Sequence, residues 1–239
     1  MQETYRDFQQ RLLSFQPDSY QWQRTGFDTH PALRQKADEQ GNLLPFYGDT
    51  ILFTLDAASV QRLSRMQKQL YQAAHLVLSQ PLSPPGFHLT LHDLSSGPSR
   101  SSLTSIMSEN ATRYLEICQA MQAQDFPKQI RLRSTHVFHM VNTSIAAGYE
   151  PATEKQYDIL MYLYELFDKI RPLPYPLTPH ITLAYYRPGY VGEKEVCTLS
   201  ETCRILSQEK SELLLDISRL YYAEFTDMDH YLLKHPAVL

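Results

Sequence analysis

Gly86-Phe87-His88-Leu89-Thr90-Leu91-His92 and Pro179-His180-Ile181-Thr182-Leu183-Ala184-Tyr185 decide the reading of this chain. Both run His, aliphatic, Thr, Leu, and the second histidine follows the first by 180 − 88 = 92 residues. In a strand, residues i and i+2 share a face. His88 and Thr90 therefore share one face while Leu89 and Leu91 take the other, and His180 and Thr182 stand opposite Ile181 and Leu183 in the same way. Burying the aliphatic pairs leaves two imidazoles and two hydroxyls free to converge on one cleft.

The elements around these stretches are read from periodicity. Tyr5, Phe8, Leu12 and Phe15 recur at helical spacing over Thr4 to Phe15. Residues 50–55 read as a strand and 57–78 as a helix, ended by Pro81, Pro84 and Pro85 just before the first His/Thr strand. A helix over 101–123, a strand over 128–141 and its continuation over 143–148 come next. A helix over 153–169 and a proline-rich loop, Pro172 to Pro179, lead to the second His/Thr strand. A short helix (193–207) and a β-rich tail (212–224 and 230–234) close the chain. Strands interleaved with helices in two similar halves predict an α+β fold: two pseudo-symmetric lobes of antiparallel-rich sheet, with helices packed outside. The 92-residue offset far exceeds solenoid periods of about 20–50 residues, so the repeat marks paired lobes. Residues 1–45 hold too few apolar side chains for a core of their own. They read as an N-terminal extension packed on a single bilobal domain over 46–239.

Composition narrows the function classes. With 239 residues, 43% hydrophobic and 20% charged, the chain can build a sizeable core. A net charge of −4 argues against a broad nucleic-acid surface, yet a small phosphate ligand needs only a few local donors. The N-terminus lacks the basic-then-apolar order of a signal peptide, and no apolar run reaches the ~20 residues of a membrane helix. A cytoplasmic monomer is expected, with no membrane partner. Cys118, Cys197 and Cys203 form no CxxC pair and read as free thiols.

Two imidazoles and two hydroxyls suit phosphodiester chemistry. In-line displacement needs a base on the attacking oxygen and an acid on the leaving oxygen, and histidine can hold either state near neutrality. Thr90 and Thr182 can donate to the non-bridging oxygens, where charge builds up. No metal or cofactor is required. At these residues the sequence resembles the two-histidine (2H) phosphoesterase superfamily, which includes 2′-5′ RNA ligase-like proteins and cyclic phosphodiesterases. The family pattern is two tetrads of His, hydrophobic, Ser or Thr, hydrophobic. His88-Leu89-Thr90-Leu91 and His180-Ile181-Thr182-Leu183 match both, and Leu44 to Thr50 looks similar to a bacterial subgroup. The resemblance implies a bilobal fold and a metal-independent hydrolase or ligase. Its ligand would be a small cyclic or 2′-5′ or 3′-5′ linked nucleotide, or a short RNA-end phosphodiester.

Secondary candidates for substrate contact follow from position. His92 shares the face of His88 if the strand stays regular. Asp93 beside it reads as a solvent-facing strand end or an imidazole-orienting group. Arg131, Arg133, Thr135 and His139 fall on one parity of the long strand, a polar strip that can face the cleft. Arg187 lies just beyond the second motif, and Tyr185 shares the parity of Leu183, which turns it away from the cleft on strict alternation. Phe46, Tyr47 and Tyr175 precede motif strands, where a base can stack. Two rivals are kept: a metal-dependent hydrolase built from His88, His92 and His139 with Asp93, and a module that only binds nucleotides or RNA ends.

Overall fold

The computed structural model describes residues 3–15, 25–123 and 126–237; the stretch 16–24 of the N-terminal extension lies outside the described residues. In chain order the elements are α1 (Tyr5–Leu13), β1 (Phe27–Asp28), β2 (Tyr47–Thr54), α2 (Ala57–Ala74), β3 (His88–Gly97), α3 (Thr104–Gln122), β4 (Gln129–Met140), β5 (Ser144–Pro151), α4 (Glu154–Asp168), β6 (His180–Tyr185), β7 (Tyr190–Val191), α5 (Glu193–Leu206), β8 (Glu212–Asp216), β9 (Leu220–Phe225) and β10 (Tyr231–Pro236).

Two antiparallel four-stranded sheets carry the α+β architecture, in the orders β10-β9-β2-β3 and β6-β5-β4-β8. The unit β2-α2-β3 of one lobe repeats as β5-α4-β6 in the other. β2 and β5, which open these two units, are buried along nearly their whole length, which their aliphatic and aromatic runs allow. The helices of these units start where short polar side chains cap them: Asp56 accepts from Ser59 N ahead of α2, and Thr153 accepts from Gln156 N ahead of α4. Leu63, Met66 and Leu70 of α2 and Leu160, Leu163 and Phe167 of α4 join the sheet residues in one continuous core. No helix among the described residues is long and apolar enough to cross a membrane.

Each motif strand is the outer strand of its own sheet, and the two outer strands, β3 and β6, lie against each other. Both carry a bulge at the same place. Ile51 faces His92 and Leu52 faces Thr90, so Leu91 is the extra residue of β3. Likewise Ile145 faces Ala184 and Ala146 faces Thr182, so Leu183 is the extra residue of β6. A second irregularity in β3 leaves Leu94 unpaired between Asp93 and Ser95. Each bulge exchanges the faces of all residues beyond it.

The N-terminal extension is woven through both lobes. Phe8 and Leu12 of α1 pack on Tyr157 of α4, with the Tyr5 hydroxyl donating to Pro151 O at 2.8 Å. Phe27 pairs with Val191 across β1 and β7, and Phe27 and Leu33 belong to the main core. Burying a phenylalanine fully, as at Phe8, is worth about 2–3 kcal/mol, enough to hold a short helix that is marginal alone.

Candidate active site

A cleft of about 910 Å³ opens between the lobes and is lined by His88, Thr90, His180 and Thr182 together. Its size suits a mononucleotide-scale ligand. Both histidines are oriented in the same way. His88 Nδ1 donates to Gly86 O at 2.8 Å, and His180 Nδ1 donates to Thr178 O at 2.7 Å, in each case the carbonyl two residues earlier. A carbonyl only accepts, so the proton sits on Nδ1 in the neutral ring and Nε2 is left as the basic nitrogen. Neither Nε2 has a hydrogen-bond partner among the described residues.

The segments that carry these two carbonyls are themselves anchored. Ser83 N and Oγ both donate to Asp229, each at 2.6 Å, fixing the turn ahead of His88 to the β9–β10 connection. Arg11 of α1 donates to Thr178 Oγ1 at 2.8 Å and Leu177 O at 2.9 Å while paired with Glu3. A helix from the N-terminal extension thus holds the segment that orients His180.

Burial lowers the pKa of both imidazoles by penalising the charged ring. The carbonyl bonds and the Asp93 carboxylate oppose that shift, and the charge on His180 adds to it at His88. Tyr231 of β10 packs on the His88 ring at 4.3 Å between centroids, and Phe138 meets the His180 ring at 6.5 Å.

The bulges correct several expectations. Beyond Leu91, His92 turns into the core at 1% exposure instead of sharing the face of His88. There it packs on Tyr164, with Nδ1 against Asp93 O and Nε2 against Asp168 Oδ1. Asp93 takes the cleft-facing place, five residues after His88, and accepts a hydrogen bond from Tyr175 at 3.0 Å. Tyr185 stands five residues after His180 and also faces the cleft, contrary to strict alternation. Its hydroxyl meets Thr182 and donates to Met228 Sδ.

Six other candidates, Arg131 and Thr135 among them, lie outside the cleft lining. In β4 the pairing with β5 skips between Ser134 and Val137, which buries Val137, Phe138 and His139 in succession. His139 packs edge-on against Phe27 and Tyr186. Arg133 extends away to pair with Glu150 at 2.7 Å. Arg187 donates to Leu78 O at 2.8 Å, and Tyr47 opens β2 opposite Gly97. Phe46 and Tyr175 do line the cleft. His92 and His139 therefore do not join His88, and no group of three or more His, Cys, Asp or Glu side chains among the described residues is arranged to hold a metal ion. The three cysteines are free, with Cys118 and Cys203 buried and Cys197 exposed.

Sequence reasoning missed Lys36, Tyr231 and Met228, all of which line the cleft. They reach it from the N-terminal extension and the C-terminal strands, and no local pattern marks them. Arg11 reaches the site from the polar side of α1, which apolar periodicity does not mark.

No protein-family model matches the sequence, and no curated protein matches it significantly. Solved structures do match. A conserved protein of unknown function from Agrobacterium tumefaciens superposes with a TM-score of 0.63 at 15% identity, covering 89% of this chain and 94% of that one. The fold is shared. Escherichia coli LigT complexed with 3′-AMP matches with a TM-score of 0.47 at 12% identity, over 80% of this chain and 96% of that one. A phosphoesterase matches with a TM-score of 0.47 at 13% identity, over 78% and 95%.

Proposed function

We propose that this protein is a metal-independent phosphoesterase of the two-histidine kind, acting on a cyclic or 2′-5′ or 3′-5′ linked nucleotide or on an RNA-end phosphodiester. The observation that carries this reading is the matched pair of imidazoles in one cleft, each tethered through Nδ1 with Nε2 free of partners among the described residues. In hydrolysis one neutral Nε2 takes a proton from water as its oxygen bonds to phosphorus. The other ring, protonated, gives its Nε2 proton to the leaving oxygen as that P–O bond breaks. Thr90 and Thr182 donate to the non-bridging oxygens as negative charge grows there. The two rings then exchange states, so the reverse direction, ligation or cyclisation, uses the same groups.

The protonated partner needs a source of stability, because burial disfavours charge on both rings. Asp93 supplies part of it, and an arriving phosphodiester anion supplies more. The test is turnover of a panel of 2′,3′-cyclic nucleotides and linear 2′-5′ and 3′-5′ dinucleotides after exhaustive chelation. Retained turnover of at least one class is expected. Binding of nucleotides with no turnover of any class would overturn the reading in favour of a binding module.

A further inference from the structure

The cleft is pseudo-symmetric in its histidines and threonines but not in its charge. Asp93 and Tyr185 occupy equivalent places, each five residues beyond its histidine, so one side presents a carboxylate and the other an aromatic ring. Lys36 stands on the aromatic side. It follows the short helical turn Pro31–Gln35 of the N-terminal extension, and Leu44 N donates to its carbonyl at 2.9 Å. Its Nζ lies 5.2 Å from the centre of the Phe46 ring and 5.9 Å from that of Tyr185.

Those rings attract the ammonium through their π faces, but they do not neutralise it. Lys36 Nζ makes no hydrogen bond or ion pair with any described residue, although it lines the cleft. A half-buried ammonium without an anion is costly, and burial pushes its pKa down, opposed by Asp93. Among the described residues, the other cations that line the cleft are placed differently. Arg11 is committed to Glu3, Thr178 and Leu177, and Arg171 is exposed at the rim.

Lys36 is also near the chemistry. The Tyr185 hydroxyl meets Thr182, so the ammonium stands one aromatic ring beyond a hydroxyl that faces the diester. The Asp93 carboxylate faces the same cleft and is felt at Lys36, so a second anion is favoured only close to the ammonium. We propose that Lys36 forms an anion subsite beside the scissile group, so that the preferred ligand carries a second phosphoryl group on the Phe46–Tyr185 side. This rests on the phosphoesterase reading for the position of the first phosphate. The N-terminal extension would then set ligand choice as well as brace the fold.

The test is calorimetric titration of the full chain with a nucleoside 2′-monophosphate and with the matching 2′,5′-bisphosphate, using wild type, K36M and K36R. Wild type is expected to bind the bisphosphate about tenfold tighter or more, the factor a charge-assisted hydrogen bond supplies. K36M should erase that advantage and leave the monophosphate unchanged, and K36R should restore most of it. Equal binding of both ligands by wild type, or equal weakening of both by K36M, would overturn the subsite. Turnover separates the two claims. A bisphosphate preference without hydrolysis of any diester would leave the subsite standing and remove the phosphoesterase reading. Hydrolysis without a second-phosphate preference would do the reverse.

Discussion

Replacing His88 or His180 with asparagine separates tethering from proton transfer. The asparagine amide nitrogen sits where Nδ1 does, so His88→Asn can still donate to Gly86 O and His180→Asn to Thr178 O. What each variant lacks is the Nε2 that faces the cleft. General acid or base catalysis by a positioned side chain contributes about 10²–10⁴ in rate, and at 1.36 kcal/mol per tenfold that is about 3–5 kcal/mol of barrier. Because the two rings share one tether geometry, each single variant should lose kcat by a factor in that range. The double variant should lose less than the product of the two, since base and acid act on the same transition state and the threonine hydroxyls remain. Phosphorus NMR of 2′,3′-cyclic nucleotide hydrolysis, with calorimetry to confirm that ligand still binds, reads both effects. Retention of more than a tenth of kcat by either single variant would refute the paired mechanism, as would losses that multiply in full.

Two more predictions follow from the titrating groups. The kcat/KM profile should be bell-shaped with its maximum below the ordinary histidine value of about 6.5, because both imidazoles are held below it. Asp93→Asn removes a charge that raises both, so the maximum should move further to acid, and a maximum above 7 in wild type would contradict the assignment. His139 bears on stability instead. Burial pushes its pKa down to about 4, so it folds neutral. The stability it permits is complete above about 6.5 and is lost as pH falls toward 4, about 3 kcal/mol over that window. Denaturant unfolding of wild type and His139→Phe at pH 7 and 4.5 checks this. The variant should lose less stability between the two, and equal losses would count against the burial argument.

Much of the architecture was legible because its signals are local. Helical stripes such as Leu63, Met66 and Leu70 or Leu160, Tyr164 and Phe167 are buried where periodicity puts them. The alternation of His88, Leu89 and Thr90, and of His180, Ile181 and Thr182, is the alternation that the strands display. The limit came one residue later. A bulge inserts a residue without changing composition, and both inserted residues, Leu91 and Leu183, are leucines that suit a paired strand equally well. Parity counting therefore carried His92 to the wrong face and Tyr185 away from the right one. Lys36 and Tyr231 were out of reach for a different cause. Their places depend on pairings between residues far apart in sequence, which no window of a dozen residues contains.

The way the N-terminal extension is woven through the molecule also governs when the cleft can exist during synthesis. Tyr5 waits for Pro151 and Phe27 for Val191, both made more than a hundred residues later. At the other end, Tyr231 must be made before the ring that packs on His88 is present. A nascent chain with both tetrads already emerged still lacks one wall of the cleft. Such long closures make for slow, late assembly. The molecule should therefore complete its cleft late, only after β10 has been made.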